Sequence, residues 1–286
     1  MAVRFGAEAR FPEIHHPVLV LRLTPLRRQR SLSRNCIEMG WIGQVVPQPL
    51  LRPAKALVRW WQGQPPVGGI SLGDLRRLEP ISRSFGTDRG LAIDRYYIER
   101  FLDLRRTDVR GRVLEIGADT YTRRFGGDQV TSSDILHVND NNPRATIVGD
   151  LADAPQIPDA SFDCIILTQT LQYVFDLQAA MRTLQRVLAP GGVLLMTVPG
   201  ISQVAVHGEW GKTWYWAFTG LAVERLLREH MHAEQVGLEI YGNVLASTAL
   251  LYGLASQELT AEELDVADPE YQLIIAARAV KAVDNE

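Results

Sequence analysis

FDCIILTQTLQYVFDLQAAMRTLQRVLAPGGVLLMTVPG, residues 162–200, holds two apolar runs with an amphipathic segment between them. FDCIILT (162–168) and GVLLMTV (192–198) are nearly unbroken, as strands buried on both faces of a parallel sheet are. Between them Leu177, Ala180, Met181, Leu184, Val187 and Leu188 fall on one helical stripe. Asp176 stands where an N-cap belongs, and Pro190-Gly191-Gly192 stops the helix. Strand, crossover helix, parallel strand is the repeating unit of doubly wound α/β domains.

The same unit extends towards the N-terminus. RVLEIG (112–117), QVTSSDI (129–135) and ATIVGD (145–150) read as three further strands, with room for little more than one helical turn in Thr120–Asp128. Ahead of them Ile93, Tyr97, Phe101 and Leu104 share one face of a helix. Towards the C-terminus, TGLAVERLLREHM (219–231) is amphipathic. QVGLEIYG (235–242) and YQLIIAARAV (271–280) read as closing strands around a helical insertion, 244–265, with a capping box from Thr260 to Glu263. Two closing strands joined in this way predict an antiparallel edge. The expected fold is therefore α/β: a doubly wound, mostly parallel, seven-stranded Rossmann-like sheet with an antiparallel edge and a helical N-terminal extension.

The expected domain is 91–281, with a ligand-binding core at 111–200, a lid region at 201–234, and the closing strands and insertion at 235–281. Pro47, Pro49, Pro53, Pro65 and Pro66 argue against sustained helix or sheet, so 39–90 reads as a wrapping linker. Residues 1–38 have no sustained periodicity. Residues 1–90 carry 14 Lys and Arg against 6 Asp and Glu, while the remainder carries 16 against 27, so the net charge of −3 hides a basic leader on an acidic body. The leader reads as a disordered basic arm.

Composition removes several classes. With 46% hydrophobic and 22% charged residues, 286 residues can bury a full core, which excludes global disorder. The longest apolar run, 244–255, is broken by Ser247 and Thr248 and falls short of the roughly 20 residues that span a bilayer. Pro17–Leu23 has no small-residue cleavage site after it, so a secretory signal is not expected. Cys36 and Cys164 make no disulfide framework. With no H-x-E, C-x-x-C or carboxylate cluster, no metal site is expected. The expected location is the cytoplasm, without membrane insertion.

Ligands in such sheets bind at the carboxyl ends of the strands, where the strand order reverses. Those ends read Glu115-Ile-Gly117-Ala-Asp119, then Asp134, then Asp150-Leu151, then Thr168-Gln169, then Pro199-Gly200. A dinucleotide site wants G-x-G-x-x-G with pyrophosphate on a helix N-terminus. Here Asp119 takes the second glycine's place, and its charge would repel pyrophosphate. A cation-bearing ligand with a ribose suits these ends better than a nicotinamide dinucleotide does.

On VLEIGAD, FDCIILTQTLQYVFD and LQRVLAPGGVLLMTVPG, the chain resembles the class I S-adenosylmethionine-dependent methyltransferases, above all the small-molecule group called type 11, over roughly residues 90–280. The resemblance implies S-adenosyl-L-methionine as cofactor. It implies that Glu115 opens the first motif and that Gly117 lets the backbone approach the cofactor. Asp119 would pair with the methionine ammonium, and Asp134 would accept both ribose hydroxyls. Asp150 and Leu151 would meet the adenine, with Thr168 closing the cofactor set. The family's loop usually has two or three glycines, and this chain keeps only Gly117 before Asp119.

Acceptors in this family meet the region after the fifth strand and the helix before the first. His207 is the one histidine in 201–218 and is the expected general base, with Glu209 as an alternative. Tyr97, Trp214 and Trp216 are the expected acceptor contacts, since aromatic rings stack on flat or apolar groups. The Asn/Asp-Pro-Pro-aromatic motif of amino-methylating nucleic-acid enzymes is replaced here by Thr168-Gln169-Thr170-Leu171, and basic residues cluster away from the strand ends. The expected function is methyl transfer to a hydroxyl of a small-molecule or glycosyl acceptor, with no nucleic-acid partner. The alternative is a non-catalytic cofactor- or partner-binding module on the same fold.

Overall fold

A computed structural model describes residues 63–207, 209–231 and 233–283. The basic arm and the linker ahead of Gly63 lie outside the described residues. Residues 63–81 form part of a separate unit that carries, among its described residues, one 3-10 turn, Gly73–Leu75. The described residues from Ser82 onward belong to the other unit, which holds the sheet. Ser82 N–H donates to the Tyr252 carbonyl and Ser256 N–H to the Leu91 carbonyl, so the loop 82–91 is tied to the C-terminal part of the domain.

Seven strands form one sheet: β1 Gly111–Ile116, β2 Val130–His137, β3 Ile147–Val148, β4 Phe162–Thr168, β5 Leu188–Pro199, β6 Ala233–Tyr241 and β7 Ile274–Lys281. Their order is β3-β2-β1-β4-β5-β7-β6. The first five run parallel, and β7 is antiparallel to both of its neighbours, as the closing strands predict. The chain winds outward from β1 to β3, then returns to β4 beside β1. The switch point is therefore the crevice between the ends of β1 and β4.

Both faces are covered, which is why the central strands β4 and β5 are nearly unbroken apolar runs. Helices α1 (Ile93–Asp103), α4 (Val244–Tyr252) and α5 (Ala261–Asp265) pack on one face. Their core joins Ile93, Tyr97 and Phe101 to Val113, Cys164, Ile166 and Leu195. Helices α2 (Leu177–Val187) and α3 (Gly220–His230) cover the other face, against Leu114, Ile165, Leu167, Leu194 and Met196. Successive residues of β1, β4 and β5 alternate between the two cores, as a period of two requires. The expected caps are present. Asp176 accepts the Ala179 N–H at 2.9 Å, and Thr260 and Glu263 form the reciprocal box.

Some elements differ from the sequence reading: β5 opens at Leu188, a residue expected on the helical stripe, instead of at 192. β2 runs on to His137, because Leu136 and His137 still find partners in β1 and β3. β3 is only two residues long, an edge strand that pairs on one side. Between β1 and β2 the crossover is as short as the sequence reading expects: a π-type turn, Thr122–Gly126, and a 3-10 turn, Gly127–Gln129.

Candidate cofactor and acceptor site

Gly117 leaves the end of β1 with φ +85°, a left-handed conformation that side chains resist, and its N–H donates to the Leu136 carbonyl at 2.9 Å. A β-carbon added there would meet no atom within 4 Å. This is an open cradle at the switch point, and it fits a ligand brought against bare backbone. Glu115, one turn of the pleat earlier, is 3% exposed. Its carboxylate accepts the Tyr121 N–H at 3.1 Å, the Thr122 N–H at 2.7 Å and the Thr122 hydroxyl at 2.8 Å. Its oxygens are thus engaged in tying the turn after Gly117 back to β1.

Burial pushes the Glu115 carboxyl up from an ordinary 4.5 to about 7, with the Thr122 and Tyr121 donors pulling the other way. The folded chain then holds a proton between those two values that the unfolded chain has released. The stabilisation from this group is complete below pH 4.5 and is lost as pH rises through about 7. The melting temperature of Glu115→Gln should lack this part of the pH dependence. Superimposable profiles for the two proteins across that window would refute the shift.

Asp119 is placed at the rim, its side chain 14% exposed. It is paired with Arg144, from the loop between β2 and β3, and with Arg123 at 3.3 Å. Thr168 is half-buried and pairs with Thr197 of β5, two residues past the Glu115–Ile166 pairing, so it stands level with Gly117. Its carbonyl accepts the Thr170 hydroxyl at 3.0 Å. Asp150 lies exposed just past β3, where its carboxylate caps a turn by accepting the Ala152 N–H at 2.9 Å.

Other expected residues are elsewhere. Asp134 does not end β2; it lies three residues before His137, the strand's last residue. Its oxygens take Arg112 Nε at 2.8 Å, near the start of β1, and the Thr146 hydroxyl at 2.9 Å. The register is the cause, since Asp134 pairs with Leu114 and not with the end of β1. Asp134→Ala should therefore lower the melting temperature by a few degrees and leave S-adenosylhomocysteine affinity within about a factor of two, because its ion pair is partly exposed and structural. A tenfold loss of affinity would restore the ribose role. Leu151 is 5% exposed and packs in the α2 core with Ala154 and Ile157. Tyr97 is 1% exposed, donates its hydroxyl to the Leu264 carbonyl at 2.8 Å and stacks on Tyr241. In this conformation it is a core residue and not an acceptor contact.

The segment after β5 passes beside the end of β4. The Tyr215 N–H donates to the Gln172 carbonyl at 2.7 Å, and the Phe218 N–H to the Pro199 carbonyl at 2.9 Å. Trp214 stacks with Phe85 and meets Tyr173 edge-on. Trp216 donates Nε1 to the Val174 carbonyl at 3.0 Å and stacks on Phe175. His207 is exposed on the same segment.

Sequence reasoning missed several residues here. Gln169 directly follows β4 with φ +47°, and its side-chain nitrogen Nε2 is buried without a hydrogen-bond partner, while its backbone N–H donates to the Thr197 carbonyl. Strain of this kind in a residue other than glycine concentrates at functional sites. Phe85, Asn142 and Arg144 reach the rim from loops. Only Asn142, ahead of a proline, carries a local signal, that of a turn.

A relative from Hahella chejuensis, named a ubiquinone/menaquinone biosynthesis C-methyltransferase, is 49% identical over 89 residues, which are 31% of this chain and 30% of that protein. A malonyl-[acyl-carrier protein] O-methyltransferase from Serratia marcescens is 32% identical over 128 residues, 41% of this chain and 50% of that one. The chain thus spans half or less of the length of these curated relatives. A solved S-adenosylmethionine-dependent methyltransferase from Mesorhizobium loti aligns at 18% identity and TM-score 0.44, over 66% of this chain and 98% of its own. The sequence model described as "Methyltransferase domain" matches residues 91–235. That match starts ahead of α1, takes in β1 to β5 whole and covers just over half of the chain, so the chain belongs to the methyltransferase-domain family, whose methyl donor is S-adenosyl-L-methionine.

Proposed function

We propose that this chain methylates a hydroxyl of a small-molecule or glycosyl acceptor. The observation that carries the reading is the pairing of the open Gly117 cradle with an aromatic segment held at the end of β4 by the Gln172 carbonyl. When bound, S-adenosylmethionine supplies a methyl group on a sulfonium, ready for displacement. The chain's part is to hold, dry and deprotonate. Gly117 and the rim residues Asp119 and Thr168 hold the donor, and Trp214 and Trp216 wall off water from the acceptor. An alcohol is a weak nucleophile at neutral pH, so a base must take its proton as the new bond forms. In this reading His207 does so, since it is exposed on the segment that carries the aromatic wall.

A second reading is methylation at carbon, favoured by the C-methyltransferase among the relatives. One experiment tests both. The protein and S-adenosylmethionine are offered a metabolite extract, and mass spectrometry follows species that gain one methyl group. Fragmentation then places the group on oxygen or on carbon. The proposal fails if no species gains a methyl only when protein and cofactor are both present, and the hydroxyl assignment fails if the methyl sits on carbon.

A further inference from the structure

The cofactor loop of this chain has one glycine where relatives are expected to have two or three, yet Gly117-Ala118-Asp119 is not left to itself. The loop between β2 and β3 reaches over and grips it at two points. Asn142 Nδ2 donates to the Gly117 carbonyl at 2.7 Å, and the Arg144 guanidinium pairs with the Asp119 carboxylate. The Leu136 carbonyl holds the Gly117 N–H from the same side. Asn142 is itself fixed, because its Oδ1 accepts the Arg144 N–H at 3.0 Å and its carbonyl accepts the Ala145 N–H at 3.0 Å.

We infer that Asn142 and Arg144 are positioning residues, a clasp that sets the Gly117–Asp119 backbone for the cofactor in place of the missing glycines. The inference rests on the cofactor reading above. Bare glycine loops take up their ligand-bound shape because nothing obstructs it, and pay for that freedom in entropy. A loop with Ala118 and Asp119 has fewer conformations and must be held in the right one. Asn142 supplies a donor to a carbonyl at the loop's start. Arg144 supplies a cation to its acid and, together with Arg123 at 3.3 Å, fixes the position of the Asp119 carboxylate. Neither residue needs to touch the cofactor. Arg144 is half exposed, so its pairing alone would be weak; the carbonyl bond from the half-buried Asn142 is the firmer of the two points.

Asn142→Asp separates this role from simple turn formation. Aspartate keeps the oxygen that accepts the Arg144 N–H, so the turn survives, but it has no N–H for the Gly117 carbonyl and sets a negative charge beside it. Isothermal titration with S-adenosylhomocysteine should give affinity about tenfold weaker, in line with the loss of one partly buried hydrogen bond and the unpaired carbonyl left behind. Amide exchange at residues 118–122 of the unliganded protein should speed up, with the melting temperature little changed. Arg144→Ala should weaken binding severalfold, and Arg144→Lys should recover most of it. Arg112→Ala, which breaks the Asp134 pair on β2 without touching the loop, should leave affinity unchanged. Asn142→Asp that equals the unsubstituted protein in affinity and in exchange overturns the inference, as does an equal loss in Arg112→Ala. An unsubstituted protein that binds no S-adenosylhomocysteine overturns the cofactor reading and the clasp's purpose with it. The exchange measurement tells that failure from failure of the clasp itself.

Discussion

Gly117→Val should weaken S-adenosylhomocysteine binding about a hundredfold, which corresponds to about 2.8 kcal/mol at about 1.4 kcal/mol per tenfold. Two effects combine. The backbone at φ +85° is costly for any residue with a β-carbon, and more so for a branched one. The added side chain would also stand in the space that is open in the structure, where a β-carbon meets nothing within 4 Å. Strain alone is worth about 1–2 kcal/mol and should lower the melting temperature by several degrees. The steric effect appears only in binding. The two are separated by measuring both: a valine variant that melts lower yet binds within a few fold of the original would show that the cofactor does not lie against Gly117.

His207→Ala should lower turnover by about a hundredfold or more, the usual contribution of a positioned general base, with S-adenosylhomocysteine affinity kept within about a factor of two. The split between the two readouts is the point. The segment 201–218 leaves the end of β5, while the cradle is at the end of β1, so a residue there can alter chemistry without altering cofactor binding. The acceptor identified by the methyl-gain experiment serves as substrate. Normal turnover in the alanine variant would leave proximity and dryness as the whole of the catalysis. Matching falls in turnover and in affinity would make His207 a structural residue of the lid.

The core of the fold was legible because it depends on local pattern. FDCIILT and GVLLMTV are nearly unbroken apolar runs of strand length, the α2 stripe with its Asp176 cap carries the helical period, and the parallel sheet follows from their order. The antiparallel edge was equally readable from two apolar runs closing the chain around a capped insertion. The turn at Gly117 was legible because a glycine directly after a buried strand marks a backbone that needs positive φ. Glu115 was singled out for its acidity as a cofactor residue; the partners that the structure gives its carboxylate are Tyr121 and Thr122 of the chain itself.

Register and loop reach were not legible. The letters VTSSDILH do not say where β2 stops, because pairing with β1 and β3 decides it, and a shift of three residues takes Asp134 from the rim to mid-strand beside Arg112. Tyr97 carried the pattern of a helical face in either role, and only the packing of α5 and Tyr241 around it made it core. Leu151 was drawn inward in the same way by the α2 core. Asn142 and Arg144 lie 25 residues from the groups they hold, and Phe85 lies over a hundred residues from Trp214. Contacts of that span have no period and no cap to announce them. The chain's own residues determined the sheet, its winding and the glycine at its switch point, since those follow from burial and backbone geometry within each segment. Which side chains surround that glycine was decided by the assembled sheet alone, because only the finished register and the loops it carries bring them within hydrogen-bonding distance.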